Sequence, residues 1–391
     1  MEALIRESKR KVLSLIHKGQ AMVDTKRVNA LLANYDTSVI INEAPGKVKT
    51  ILFIITRMVR FHGGQTSILR LGTELSKQGY QVYYAVYKNQ SKEEMQICAS
   101  SNLEGFQGSL ISSAAFKKLY QKKSPDVIVA TSFDTVSFAK KFSGYKMYFV
   151  QDYEPYFYPF GEMFLLAKKT YEQGLHMVSL GAWNKEMIEK NCTGGLKIDV
   201  VDFPYEKSEY PRMDRDYMAY RDKKKLVIAV YLKYYGKRLP CIIPYMLEEV
   251  RALFRRDGIE LEIKYYGETK SFQAQGGTNL GMLSKSELRD LYHTADFGMV
   301  ASMSNISLVP YEMLSTGLPV IEFADGTFEY FFPQGSAIIT SIDPKDLYQK
   351  MKETLVTPEI LVKQQEKALG YMENLSWQTT GRQFADILEA L

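Results

Sequence analysis

Three cations sit within VYLKYYGKRLP: Lys233, Lys237 and Arg238. They follow an apolar run, 226–231, that reads as a strand, and they precede a helical run that starts near Cys241. Cations in a strand-to-helix loop lie at the carboxyl edge of an α/β sheet, where ligands bind. A guanidinium grips a diphosphate through two parallel hydrogen bonds, and an ammonium holds it as a point charge. The plain alternative is a solubilising cluster.

His62-Gly63-Gly64-Gln65 is a second candidate for the same anion. Paired glycines let backbone N–H groups approach a phosphate, and a helix start adds a favourable field. The same pair also serves a tight turn. It is neither a GxGxxG fingerprint nor a P-loop, which weighs against plain dinucleotide or ATP binding.

Glu312 is the third candidate, within SNISLVPYEMLSTGLPVIE (304–322). It is a lone carboxylate in an apolar helical run that stops at Gly317-Leu318-Pro319 and resumes as a strand. Such a group can accept hydrogen bonds from ribose hydroxyls. A first-turn acid is also favoured by the helix dipole alone. The fourth is VQDYEPYFYPFGE (150–162), where Asp152 and Glu154 are wrapped by Tyr153, Tyr156, Phe157 and Tyr158. Acids among rings suit the rims and faces of a sugar, and a loop packed by its own rings is the alternative. MDRDY (213–217) holds a DxD pair, but in a polar linker, and reads as solvated charge. HExxH, GxSxG and His/Cys metal clusters are absent.

These candidates need a scaffold. From Val48 the chain alternates buried-strand runs (KTILFIIT, YQVYYAVY, DVIVAT, KMYFV, LHMVSL, LKIDVV) with helical segments. After a break over 203–224 a second series begins with KLVIAVY, ELEIKYYG, DFGMVAS, PVIEF and SAIITS. Strands separated by helices predict α/β architecture with mainly parallel sheets. The expected fold is two Rossmann-like, doubly wound domains facing a central cleft, with an N-terminal helical extension. The boundaries are 1–45 for the extension, 46–205 for the first domain, 206–224 for a linker, 225–375 for the second domain and 376–391 for a final helix.

The bulk numbers agree. A length of 391 residues exceeds what one core usually serves. A net charge of +5 is too mild to argue for nucleic acid, but suits an anionic substrate or an acidic membrane surface. Cys98, Cys192 and Cys241 are scattered singly, which fits a reducing cytosol. No signal-like or membrane-spanning apolar stretch is seen, so a cytoplasmic location is expected. MEALIRESKRKVLSLIHKGQAMV reads as a basic amphipathic helix, with Leu4, Ile5, Val12, Leu13, Leu15 and Ile16 between Arg6, Lys9, Arg10 and Lys11. It is either a peripheral contact for the inner face of the cell membrane or a capping helix with a wet face.

The Gly-Gly loop, Lys233…Arg238, GMLSKSELRDLYHTADFGMVAS (281–302) and SLVPYEMLSTGLPVIE together resemble glycosyltransferase family 4, of GT-B fold. The resemblance spans roughly residues 48–390 and is strongest from 279 to 322. Within that family, YFVQDYEPYFYPFGEMFLLAKKTYEQGL (148–175) is most similar to bacterial rhamnosyltransferases of surface polysaccharide and S-layer glycan synthesis. The resemblance implies a retaining, metal-independent transferase that moves L-rhamnose from dTDP-β-L-rhamnose to a saccharide or lipid-linked saccharide. Gly63 and Gly64 would then lie against the donor phosphates. Lys233 and Arg238 would hold and stabilise the leaving diphosphate, beside Lys237. Glu312 would bind the ribose, and Ile306, Ser307, Leu308 and Val309 would offer backbone N–H groups. His62, Asp152, Tyr153, Glu154 and Tyr156 are the expected acceptor set. The final helix, from near Trp377, would return to the first domain.

One departure stands out. Many family members carry a glutamate that touches the donor sugar where this chain has Ser304. Its loss is compatible with a 6-deoxy sugar, which lacks a hydroxyl. Three other readings share the residues: a UDP-sugar donor on the same fold, a nucleotide-sugar epimerase, and a non-catalytic glycan-binding protein.

Overall fold

The computed structural model describes residues 2–119, 124–234, 238–269, 271, 273 and 275–391. Lys237, one of the expected diphosphate ligands, lies outside the described residues. The first sheet comprises β1 (Thr50–Ile55), β2 (Gln81–Val86), β3 (Ser109–Ile111), β4 (Val127–Ala130), β5 (Tyr145–Val150), β6 (His176–Leu180) and β7 (Ile198–Val201). Its order is β3-β2-β1-β4-β5-β6-β7, and every pairing is parallel. The second comprises β8 (Lys225–Tyr231), β9 (Glu260–Tyr266), β10 (Thr278–Asn279), β11 (Phe297–Met299), β12 (Val320–Phe323) and β13 (Ile338–Thr340). Its order is β10-β9-β8-β11-β12-β13, again all parallel.

Helices cover such sheets on both faces, so their strands must be apolar throughout. Residues 51–55, 127–130 and 297–299 are accordingly buried without alternation. In both sheets the order reverses once, between β1 and β4 and between β8 and β11. Ligands of open α/β sheets bind beyond the strand ends at such reversals. The loop carrying Lys233 and Arg238 leaves β8, and residues 300–307 leave β11. Both therefore meet at the second reversal.

The bodies are joined by two crossings. Residues 202–224 make the first, and they are strapped to the second sheet's domain. The Tyr217 hydroxyl donates to the Gly317 carbonyl at 2.6 Å and that of Tyr220 to Asp296 at 2.8 Å. Arg215 donates to the Ala295 carbonyl at 2.7 Å. Asp216 caps the short helix Tyr217–Asp222, so this half of the DxD pair is engaged in backbone capping. The second crossing leads into the last helix, Trp377–Glu389, which lies on the first domain. There Gln383 and Asp202 exchange hydrogen bonds of 2.8 and 2.7 Å, and Phe384 meets Phe149 edge-on at 6.2 Å. Arg70 touches both crossings: it pairs with Glu206 and Glu209 on the first and lies over the Trp377 ring, 5.8 Å away, on the second.

The N-terminal helix runs from Glu2 to Leu32, and from residue 14 to 27 it is almost wholly solvent-facing. Arg27 contacts Tyr158 of the first domain, and just beyond the helix the Tyr35 hydroxyl donates to the Leu166 carbonyl at 2.8 Å and Asp36 pairs with Lys140 at 3.1 Å. Among the described residues no helix is long and apolar enough to cross a membrane.

Candidate active site

The second domain contributes a cradle of unspent backbone donors. Its helix Leu308–Ser315 begins at Ser307 with no side-chain cap and no acid in its first turn. The Ser307 hydroxyl is buried without a partner. The N–H groups of Ile306, Ser307, Leu308 and Val309 donate to no protein acceptor among the described residues. A helix start left uncompensated in this way attracts an anion.

The loop ahead of this helix is held from beneath. Arg238 is buried and donates to the Ala301 carbonyl at 2.7 Å, with its guanidinium 5.2 Å from the Tyr231 ring centroid. The next residue, Leu239, has φ +46°, a left-handed conformation that costs a branched side chain energy and marks a constrained loop. Glu322, fully buried at the end of β12, accepts the N–H and hydroxyl of Ser302. Burial pushes its carboxyl up to about 7, against the pull of Ser302 and Arg238.

Lys233 stands half-buried over the strand ends. Desolvation lowers its ammonium, opposed by Glu268, and the Arg238 charge lowers it further. Across the cleft His62 feels the Lys233 charge; crowding by protein, then that charge, hold its imidazole below the usual value. The Gly-Gly loop and the basic loop thus face each other. The helix Gly63–Lys77 starts at His62 with no acid in its first turn and no side-chain cap. A Cβ on Gly63 would meet open space, whereas one on Gly64 would come 3.4 Å from the Gln151 amide.

Glu312 faces inward from the same short helix. Burial, then the charge of Glu209, raise its carboxyl to about 7, while Arg70 and Lys285 pull the other way. These neighbours form one network: Glu209 is bound by Arg70 from the first domain and Lys285 from the second.

The aromatic loop is built differently from a simple sugar platform. Tyr148, Tyr171 and Tyr153 stack in sequence at 5.5 and 5.7 Å, and Tyr153 is fully buried. Glu154 is buried beneath them, taking the Phe133 N–H at 3.0 Å and the Tyr148 hydroxyl. Desolvation raises its carboxyl to about 8. Tyr156, 45 % exposed, and His62 are the members of the expected acceptor set that reach solvent. Asp152 is buried and crosses to the other domain: it accepts the Ser304 hydroxyl at 3.0 Å and the Asn305 N–H at 3.1 Å.

By sequence the chain matches no described protein family and no curated protein. Solved structures are similar to it. TarM superposes with a TM-score of 0.69 at 8% identity, over 88% of this chain and 100% of that one. HepE from Anabaena, solved in complex with UDP and glucose, gives 0.68 at 12% identity over 88% and 100%. Sucrose-phosphate synthase from Thermosynechococcus elongatus gives 0.65 at 13% identity over 88% and 98%. The chain has the GT-B fold.

In this GT-B chain several cleft residues had no signal of their own in the sequence. Gln151 directly follows β5 and lies beside Gly64; the position after a strand was the available cue. Glu322 is a carboxylate inside the apolar strand PVIEF, and that mismatch was legible. Asn305, Glu268 and the Arg70–Glu209–Lys285 network come together through tertiary contact alone.

Proposed function

We propose that the protein is a retaining glycosyltransferase that moves a deoxyhexose, L-rhamnose from dTDP-β-L-rhamnose, onto a saccharide or lipid-linked saccharide of a cell-surface glycan. The observation that carries the transfer chemistry is the convergence of Lys233, Arg238 and the unspent N–H groups of 306–309 at the sheet reversal. These groups face the charge that builds on a diphosphate as it leaves, and fixed donors lower a barrier when they favour the transition state over the ground state. The bond from the sugar's anomeric carbon to the phosphate oxygen breaks, and its electron pair stays on the diphosphate. The acceptor hydroxyl attacks from the same face and passes its proton to a departing phosphate oxygen. No metal or cofactor enters this scheme.

Gly63 and Gly64 close over the phosphates from the first domain, and Lys237 adds charge. Glu312 takes the ribose hydroxyls, and Ser304 borders the sugar. On the acceptor side His62, its imidazole held below the usual value by crowding and the Lys233 charge, and the exposed Tyr156 meet the saccharide, with Asp152, Tyr153 and Glu154 shaping the loop behind them. Thymidine and rhamnose rest on the resemblance of residues 148–175. A uridine donor is the second reading, favoured by the similar HepE structure with UDP and glucose. Calorimetric binding of dTDP, UDP and GDP, and of their sugars, to wild type and Glu312→Ala decides. Strongest binding of dTDP-rhamnose, lost in the variant, supports the proposal; preference for UDP-sugars moves the donor; no binding overturns transfer and leaves glycan binding. Product analysis without acceptor excludes an epimerase if the sugar is unchanged.

The exposed N-terminal helix supports peripheral contact with an anionic membrane: Leu15 is 68 % exposed, alongside Ile16, Met22 and Val23. Apolar residues interspersed with lysines and arginines suit such a surface. Sedimentation with anionic vesicles, with and without residues 1–30, tests this; equal binding by both forms discards it.

A further inference from the structure

Four hydrogen bonds join the first domain's cleft edge, at Gln151, Asp152 and Leu180, to the dipeptide Ser304–Asn305 of the second. The Asp152 carboxylate accepts from the Ser304 hydroxyl at 3.0 Å and from the Asn305 N–H at 3.1 Å. The Asn305 amide donates to the Gln151 carbonyl at 2.7 Å and to that of Leu180 at 3.0 Å. All five residues follow or end strands at the cleft: Leu180 ends β6, Gln151 and Asp152 follow β5, and Ser304 and Asn305 follow β11. Ser304 and Asn305 are completely buried, and Asp152 is 7 % exposed.

The first domain braces its half of this clasp. The Tyr153 N–H donates to Asp152 at 2.9 Å, and the Tyr171 hydroxyl donates to the Asp152 carbonyl at 3.1 Å. Tyr171 is the middle ring of the three-tyrosine stack that carries the loop 153–158. On the other side, the next residues after Asn305 are the unspent donors 306–309. Their own domain holds this loop through Arg238 at Ala301, Glu322 at Ser302, and the Thr327 hydroxyl at the carbonyls of 302 and 304. The opposite domain adds the Asp152 carboxylate at Ser304 and Asn305, and the Gln151 and Leu180 carbonyls at the Asn305 amide.

We propose that Asp152 is a positioning residue for the donor. Resting on the transferase reading, the inference is that the first domain completes the diphosphate cradle, and does so only when the domains are closed. Asp152 fixes the Ser304–Asn305 peptide and thereby aims the N–H groups of 306–309. A carboxylate is suited to this because it accepts from a hydroxyl and an N–H at once, with the added strength of a charged acceptor. The arrangement ties the acceptor loop, through Tyr171 and Tyr153, to the donor loop. A donor bound in the open form then meets an incompletely ordered cradle and stays intact until closure.

The test uses the full chain with Asp152→Ser, Ser304→Ala and the exchange Asp152→Ser/Ser304→Asp. Turnover is read as nucleoside diphosphate released from dTDP-β-L-rhamnose and UDP-glucose, and dTDP and UDP binding by calorimetry. Misaimed donors cost about a hundred-fold in rate. Asp152→Ser is therefore expected to lose about that much kcat, with the donor KM within about threefold of wild type and full dTDP or UDP stoichiometry. Ser304→Ala loses less, and the exchange, which rebuilds the hydroxyl–carboxylate pair in reverse, recovers most of the loss. A kcat within about threefold of wild type in both single variants overturns the proposal. So does an exchange that restores thermal stability without restoring kcat, because a merely structural tie would behave in that way. Wild type that binds and cleaves neither donor overturns the transferase reading itself, and this inference with it.

Discussion

Glu322 accepts both the backbone N–H and the side-chain hydroxyl of Ser302, at 2.9 and 2.6 Å, from a position with no solvent exposure. The pair pins the end of β11 to the end of β12, directly under the loop that leads to the unspent donors. Arg238 feels the same carboxylate and holds the neighbouring Ala301 carbonyl. Replacing Glu322 by Ala strands two buried donors and removes that partner charge. The expected cost is about 3 kcal/mol, read as a lower urea midpoint at constant slope. Glu322→Gln, which keeps an acceptor, is expected to lose less than half of that.

Lys233 and Arg238 separate chemistry from scaffolding. Lys233→Ala removes a half-buried ammonium at the cleft and is expected to lower kcat about a hundred-fold, with melting temperature unchanged. Arg238→Ala also frees the Ala301 carbonyl, so activity and melting temperature fall together. Arg238→Lys keeps the charge without the fork and is expected to fall between them. Full activity in both alanine variants would refute the role given to this loop.

Donor binding should depend on pH through Glu312. Its carboxyl titrates near 7 in the free protein, raised first by burial. In the proposed complex a ribose donates to the ionised form, so binding would expel a proton and affinity is expected to fall by up to about tenfold per pH unit below 7. Calorimetry in two buffers of different ionisation enthalpy reads the released proton directly. Glu312→Gln is expected to flatten the dependence.

Glu154 works in the opposite direction on stability. Its folded value, about 8, lies above the model-peptide range for a carboxyl, so the folded chain binds the proton more tightly than the unfolded chain. The stabilisation is complete below the unfolded value and is lost as pH rises through about 8. Wild type should therefore melt lower at about pH 9 than at about pH 6 by more than Glu154→Gln does.

Gly381 reverses a usual rule. Alanine in a helix interior is normally better than glycine by about 1 kcal/mol. Here a Cβ would stand 2.5 Å from the Glu74 Cβ, an atom that cannot swing away. Gly381→Ala is expected to destabilise by about 2 kcal/mol, measured by thermal or urea unfolding.

The alternation of apolar runs made the two-sheet architecture legible, because strands covered on both faces leave an unbroken signal. The strands that escaped were β3 and β10, of three and two residues, too short to show any period, and the helices Lys92–Asn102 and Glu359–Met372 also went unread. The linker looked featureless because Tyr217 and Tyr220 bury their rings while their hydroxyls bond to backbone carbonyls, a mixed behaviour that hydropathy averages away. Within the cleft, residue type alone pointed to Lys233, Arg238 and Glu312. The partnership of Asp152 with Ser304 spans 152 positions and depends on how two domains meet, which no local pattern records.

Arg70 touches both passages of the chain between the domains, Glu206 and Glu209 on one side and Trp377 on the other. Two tethers gathered at a single point behave like the knuckles of a hinge: they permit a swing about one line and resist twist and separation. The first domain carries the helices Glu2–Leu32 and Trp377–Glu389, and the second is suspended from it like a jaw. Opening the mouth for substrate can then proceed without the two jaws losing their bite alignment.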